Sequence, residues 1–115
     1  MNYSICGDLV LRDLPVRQRF ETVAQLDGAS YEFWTWQDKN LQEYRDLSRE
    51  LGVKISAFSG DDAYSMSAPR EADAYLEHFS RSVEAAIFLQ ADTLIVHTEA
   101  LEFRGDFMPA KFADV

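Results

Sequence analysis

The stretch Ala29-Ser30-Tyr31-Glu32-Phe33-Trp34-Thr35-Trp36-Gln37-Asp38 passes from strand-forming residues into an aromatic, polar loop within a few positions. How it is read sets the fold of the rest. Tyr31, Phe33 and Trp34 suit a pleated, covered surface, and Glu32 is an acid set among them. A carboxylate there costs free energy unless it is paired or faces a site. Near the carboxyl end of a parallel strand, Glu32 is expected to point toward the crevice where open sheets and barrels of the α/β class hold ligands. The plainer alternative is that Glu32 lies on the polar side of a half-buried strand and caps a neighbouring loop.

Outward from this strand, at residues 29–34, the chain alternates. Before it, Asp13 ahead of Leu14-Pro15 reads as a helix start, and Val16, Phe20, Val23 and Ala24 make one apolar helical face closed by Gly28. Before that helix lies a first short strand at residues 3–6, with residues 9–11 continuing beyond a Gly7-Asp8 break. After the central strand, Asn40 with Glu43 resembles a capping box, and Leu41, Tyr44, Leu47 and Leu51 line a second helix that Gly52 ends. Residues 53–58 (VKISAF) read as a third strand leaving through Ser59-Gly60. The polar loop SGDDAYSMSAP at 59–69 is longer than most connections of its kind, so it reads as a lid or substrate-contacting loop or as a solvated connector. An amphipathic helix at 70–90 carries Ala72, Tyr75, Leu76, Phe79, Val83, Ala86 and Ile87 at spacings of three and four. Residues 93–98 (TLIVHT) read as a fourth strand covered on both faces. The tail from Glu99 has no clear period.

Strand, helix, strand, helix, strand, helix, strand, with each strand apolar rather than alternating, predicts a βα repeat with parallel strands and right-handed crossovers. Residues 1–115 form one domain, and 47% hydrophobic residues supply its core. With 11 basic against 20 acidic residues the formal charge is −9, which repels phosphate backbones and anionic lipid and argues against a nucleic-acid partner. One cysteine, Cys6, excludes an intrachain disulfide and any multi-cysteine zinc site, and fits a reducing cytoplasm. No run approaches the roughly 20 apolar residues that span a bilayer, so no membrane partner is expected. No GxGxxG or GxxxxGK[ST] occurs, which argues against dinucleotide and nucleotide chemistry.

Parallel strands would gather at their carboxyl ends Gly7-Asp8, Glu32 with Trp34 and Trp36, Ser59-Gly60, and His97 with Glu99. Tryptophan faces pack on the C–H surface of a sugar, while carboxylate and imidazole groups bond its hydroxyls or move its protons. The substrate-binding candidates are Glu32, Trp34, Trp36, Ser59 and His97. His97 and Glu99 are also candidate metal ligands, although a lone histidine after a strand more commonly bonds a neighbouring carbonyl.

The words YEFWTWQDKNL at 31–41, AFSGD at 57–61 and ADTLIVHT at 91–98, with the helices between them, resemble the xylose isomerase-like barrel superfamily. Hydroxypyruvate isomerase and related sugar isomerases and epimerases are the most similar in look. The resemblance runs from the start of the chain to about Glu99 and places Glu32 and Trp34 at the end of the second strand and His97 at the end of the fourth. Gln90 stands where members of the family often have glycine. The resemblance implies a fold that is the four-stranded N-terminal half of a TIM barrel. The implied activity is a metal-assisted aldose–ketose isomerisation or epimerisation of a small sugar or hydroxypyruvate-type substrate.

The divalent metal (Mn, Mg or Co) is implied by the resemblance alone, and its ligand set is incomplete, because the family places most ligands on later strands. No catalytic residue is assigned. The abasic-site endonuclease branch of the superfamily needs a basic groove, which the charge of −9 argues against. A half barrel implies either a truncated product, incomplete as an enzyme, or a homodimer that covers open edges and an apolar inner face. The reading from a different class is a non-catalytic binding or interaction module that keeps the half-barrel fold.

Overall fold

Alternating turn residues and apolar runs produce the predicted order of elements in the structure, a computed structural model that describes residues 2–97. Strand β1 (Tyr3–Cys6) runs into a single helical turn, α1 (Gly7–Val10), and then helix α2 (Val16–Ala24). Strand β2 (Ala29–Glu32), helix α3 (Leu41–Leu51), strand β3 (Ile55–Ser59), a 3-10 turn at Pro69–Glu71, helix α4 (Ala72–Leu89) and strand β4 (Thr93–Ile95) follow. The fold is α/β: the described strands make one four-stranded, all-parallel sheet in the order β1-β2-β3-β4. Thr98, Glu99 and the tail lie outside the described residues.

Several boundaries differ from expectation for local reasons. The segment after Cys6 is a helical turn rather than further strand, because Gly7 turns the chain under the Tyr31 ring. Asp13 does not cap α2; Pro15 holds the cap position with no side-chain bond, and its fixed φ suits the entry. Asn40 does cap α3, accepting from the Glu43 amide at 3.2 Å, and Gly52 closes that helix at φ 66. Helix α4 ends at Gln90 in the left-handed region, φ 57, where the side chain crowds the backbone. Replacing Gln90 by glycine is expected to stabilise the chain by about 1 kcal/mol, visible as a raised melting temperature; an unchanged or lowered one would contradict that cost.

Phase decides what each face of the sheet does. Tyr31 and Phe33 are fully buried against Phe20 of α2 and Tyr44 of α3, with Phe20 stacked on Tyr31 at 4.3 Å between ring centres. Phe58 of β3 continues this layer, stacked on Phe33 at 4.9 Å and sharing the core with Ala85, Ala86 and Leu89 of α4. Consecutive parallel strands joined by right-handed crossovers put the three long helices on this one side, where α2 packs on α3 and α3 on α4.

The opposite face starts from the alternate residues, Ser4 and Cys6 of β1, Ser30 and Glu32 of β2, and Ser56 of β3. The register adds Ala57, Thr93 and Ile95, so the face mixes small polar with apolar side chains and carries fewer large apolar groups than the sequence predicts. Ser56 is the extra residue of a bulge, since Tyr31 pairs with Ile55 and Glu32 with Ala57. The hydroxyls of Ser4 and Ser56 meet at 2.7 Å across the intervening β2. Strands two places apart in a flat sheet are about 9.6 Å apart, so two short side chains touch only if the sheet curls toward this face.

Candidate functional site

The carboxyl ends of the four strands gather three clusters, two of them built on consecutive aspartates after β3. Gly60 is buried where α4 and β4 converge, and a Cβ there would press on Phe79 and Leu94. Its amide donates to Ile95 O at 3.0 Å, so the chain leaves β3 tied to the end of β4. Asp61 then turns to β4. Its carboxylate accepts from the His97 amide at 2.7 Å and from His97 Nδ1 at 2.9 Å, and its side chain is only 6% exposed. A neutral ring that gives its Nδ1 proton to Asp61 has its lone pair on Nε2, and 59% of that side chain is exposed. An imidazole so oriented can accept a proton from a hydroxyl or bond it.

Asp62 turns the other way, to α4 and the β2 exit. It accepts from His78 Nε2 at 3.1 Å and Gln37 Nε2 at 2.9 Å. His78 is buried, stacked against Trp36 and met edge-on by Tyr64. Trp36 Nε1 donates to Ser82 Oγ at 2.9 Å, and Ser82 Oγ donates to Gly60 O at 2.8 Å. Burial alone would raise the Asp62 pKa, but hydrogen bonds from Gln37, Thr35 and His78 outweigh it and hold the carboxyl below its ordinary value. A depressed carboxyl stabilises the fold fully above its unfolded pKa of about 3.9 and loses that share as pH falls through the lowered value. The difference in melting temperature between the wild type and Asp62→Asn is therefore expected to shrink as pH drops below about 4; a difference that grew there would contradict the sign.

The third cluster surrounds Asp8 at the end of β1, 11% exposed. It pairs with Arg19 at 3.2 Å and Lys39 at 3.1 Å and accepts from the Trp34 amide at 2.9 Å. Arg19 also donates to Leu14 O and Arg12 O, both at 2.8 Å, tying down the loop before α2. These three bonds of Asp8 fix the loops after β1 and β2.

The sequence candidates fall in different places. His97 lines a pocket of about 480 Å³ with Asp61, Asp62, Ala63, Tyr64, Ser65 and Glu71, beneath the 59–69 loop. Glu32, Trp34, Trp36 and Ser59 do not line that pocket. Glu32 is half-buried on the concave face in register with Cys6, and its carboxylate makes no hydrogen bond to another described residue. Trp34 has its backbone fixed by Asp8 and Ser59 and its indole 53% exposed. Trp36 gives its ring face to His78, and Ser59 is buried with its amide on Trp34 O at 2.8 Å.

Asp61, Asp62 and His78 were not among the candidates. The SGDD word marked the loop, and two aspartates after a strand-end glycine were its signal. A pocket of similar size, about 460 Å³, opens near the amino end of β3 beside Ser48, Arg49 and Lys54, so chemistry rather than volume singles out the His97 end.

Among the described residues no group of three or more His, Cys, Asp or Glu is placed to hold a metal ion. Glu99 lies outside them, and of the two candidate ligands only His97 is described, its Nδ1 bonded to Asp61 and its Nε2 left for another partner. Among the described residues no helix is long and apolar enough to cross a membrane. No protein-family model, curated protein or solved structure matches the chain.

Proposed function

We propose that the chain is a sugar isomerase- or epimerase-like protein that binds a small polyol or hydroxy-keto acid at the carboxyl ends of its strands. The observation that carries this reading is His97, held at Nδ1 by buried Asp61 with Nε2 turned outward beside a pocket. Consecutive parallel order, helices on one side and a curl toward the other support its place as the first half of an eight-stranded (β/α) barrel of the xylose isomerase-like type. The substrate would lie at the rim, its hydroxyls bonded by His97 Nε2, with Glu32 and the exposed Trp34 farther along the same rim outside that pocket. His97 would take or return the proton that moves between adjacent carbons, with Asp61 holding the ring and stabilising its charged form. No step here runs through a metal; a cation would need ligands from beyond the described residues. The proposed setting is the cytoplasm.

The partner that supports a complete rim is a second copy. Exposed Tyr3, Leu9 and Val10 lie on β1 and α1, and exposed Leu76, Val83, Ile87 and Val96 on α4 and just after β4, so apolar surface marks both ends of the sheet. The concave face, with Ser4, Ser30, Glu32 and Ser56 among its side chains, offers less apolar surface than those ends.

Isotope exchange tests the chemistry directly. Incubated with a small ketose in deuterium oxide, the chain is expected to incorporate deuterium at the carbon beside the carbonyl, and His97→Ala to abolish this. Exchange no faster than in buffer, with bound ketose confirmed, would leave the second reading, a non-catalytic binding module. The engagement of strand-end Asp8 with Arg19, Lys39 and the Trp34 amide favours that alternative.

A further inference from the structure

The two consecutive aspartates after β3 take one histidine each, and they are the only two histidines in the chain. Asp61 reaches forward to exposed His97, and Asp62 reaches back to buried His78. Neighbours joined by one peptide bond are coupled, so what fixes Asp62 restricts, from the loop side, the position from which Asp61 grips His97. On its other side Asp61 follows Gly60, which is held to Ile95 O and by Ser82 Oγ, and farther along the loop Ser65 bonds Glu71 and the Ala68 amide. Asp62 meets firm ground as well. His78 is carried on α4 and stacked against Trp36, and Gln37 arrives from the β2 exit.

Protons place the bonds. An ionised Asp62 is an acceptor only, so His78 presents Nε2–H to it. Gln37 Nε2 lies 3.2 Å from the same ring nitrogen, and turns its hydrogens to the carboxylate.

We propose that Asp62, with Gln37 and His78, acts as a positioning clamp for His97, fixing Asp61 and through it the ring orientation and tautomer that the strand-end site uses. Its purpose rests on the site reading above; its geometry does not. The clamp joins the exit loops of β2, β3 and β4 through one residue pair, so loss of Asp62 acts on His97 without touching it. A loop anchor with only a structural role would lower stability and leave the His97 ring, in molecules still folded, as it was.

Ring-nitrogen NMR of His97 at a pH where imidazole is neutral separates the two. In the wild type Nδ1–H is expected to be the major tautomer, because Asp61 accepts there. A free imidazole prefers its proton on Nε2, so Asp62→Ala is expected to make Nδ1–H the minor form, and Asp62→Asn, whose amide oxygen accepts from both partners, to restore it. Gln37→Ala, at an exposed position, is expected to move the ratio in the same direction by a smaller amount and decides the matter if Asp62→Ala does not fold. An unchanged His97 tautomer ratio in a folded Asp62→Ala or Gln37→Ala protein would overturn the clamp. The readout uses no ligand: a chain that binds no ketose but shows the Asp62 dependence would refute the sugar reading and leave the clamp standing, and the converse result would do the reverse.

Discussion

Truncation of Asp8 to alanine is expected to destabilise the chain by about 3–5 kcal/mol, the range for removing one partner of a buried ion pair. Arg19 and Lys39 are 15% and 13% exposed, so both cations would be left in a poorly solvated place. The Trp34 amide would lose its acceptor as well. Burial pulls the Lys39 pKa down, but bonds to Asp38 and Asp8 outweigh it and leave it raised, a balance that Asp8→Ala would upset. Urea unfolding of wild type, Asp8→Ala and Asp8→Asn checks this. Asparagine keeps an acceptor without the charge and is expected to fall between the other two. A loss below about 1 kcal/mol for alanine, the scale of an exposed pair, would mean that the cluster behaves as surface charge.

The next largest effect is expected at Gly7, where alanine should cost about 3 kcal/mol, the upper end of the usual range for overpacking. A Cβ on Gly7 would fall within the space of the Tyr31 ring end. That ring cannot swing aside, because it is fully buried, stacked on Phe20 and met edge-on by Tyr44. Either the β1 exit must move, dragging Asp8 with it, or the aromatic layer must repack. Thermal melting of Gly7→Ala against a surface control, Ala24→Gly at the end of α2, measures it. Equal melting temperatures for Gly7→Ala and wild type would show that Tyr31 has room the packing does not reveal.

The repeat was legible because each element is announced locally. Asn40 and Gly52 bracket α3 with their own side chain and backbone preferences, and the i, i+4 and i+7 spacing of Val16, Phe20 and Val23 marks the buried face of α2 without reference to anything distant. What the sequence hid is what depends on long-range meeting. Asp61 and His97 are 36 positions apart and His78 and Asp62 are 16, and neither separation is a motif. Trp36 looked like a sugar-stacking ring, yet its face went to His78 and its N–H to Ser82, 46 residues on. The concave face carries fewer large apolar groups than the composition of the strands suggests. Most large side chains point to the helices, and Ser4, Ser30 and Ser56 fall in the alternate phase, shifted in β3 by a bulge that no local pattern signals.

The central claim is that the Asp61-held His97 end of the sheet binds a small polyol. The most direct measurement is a backbone and ring-nitrogen NMR titration of the chain with a small ketose. The account predicts saturable shifts in one concentration range at residues 60–62, at 32–34 and at His97 Nε2, and their loss in His97→Ala. Saturable shifts confined to the pocket between α2 and α3, at Arg17, Asn40 and Glu43, or no shifts at the strand ends, would contradict it.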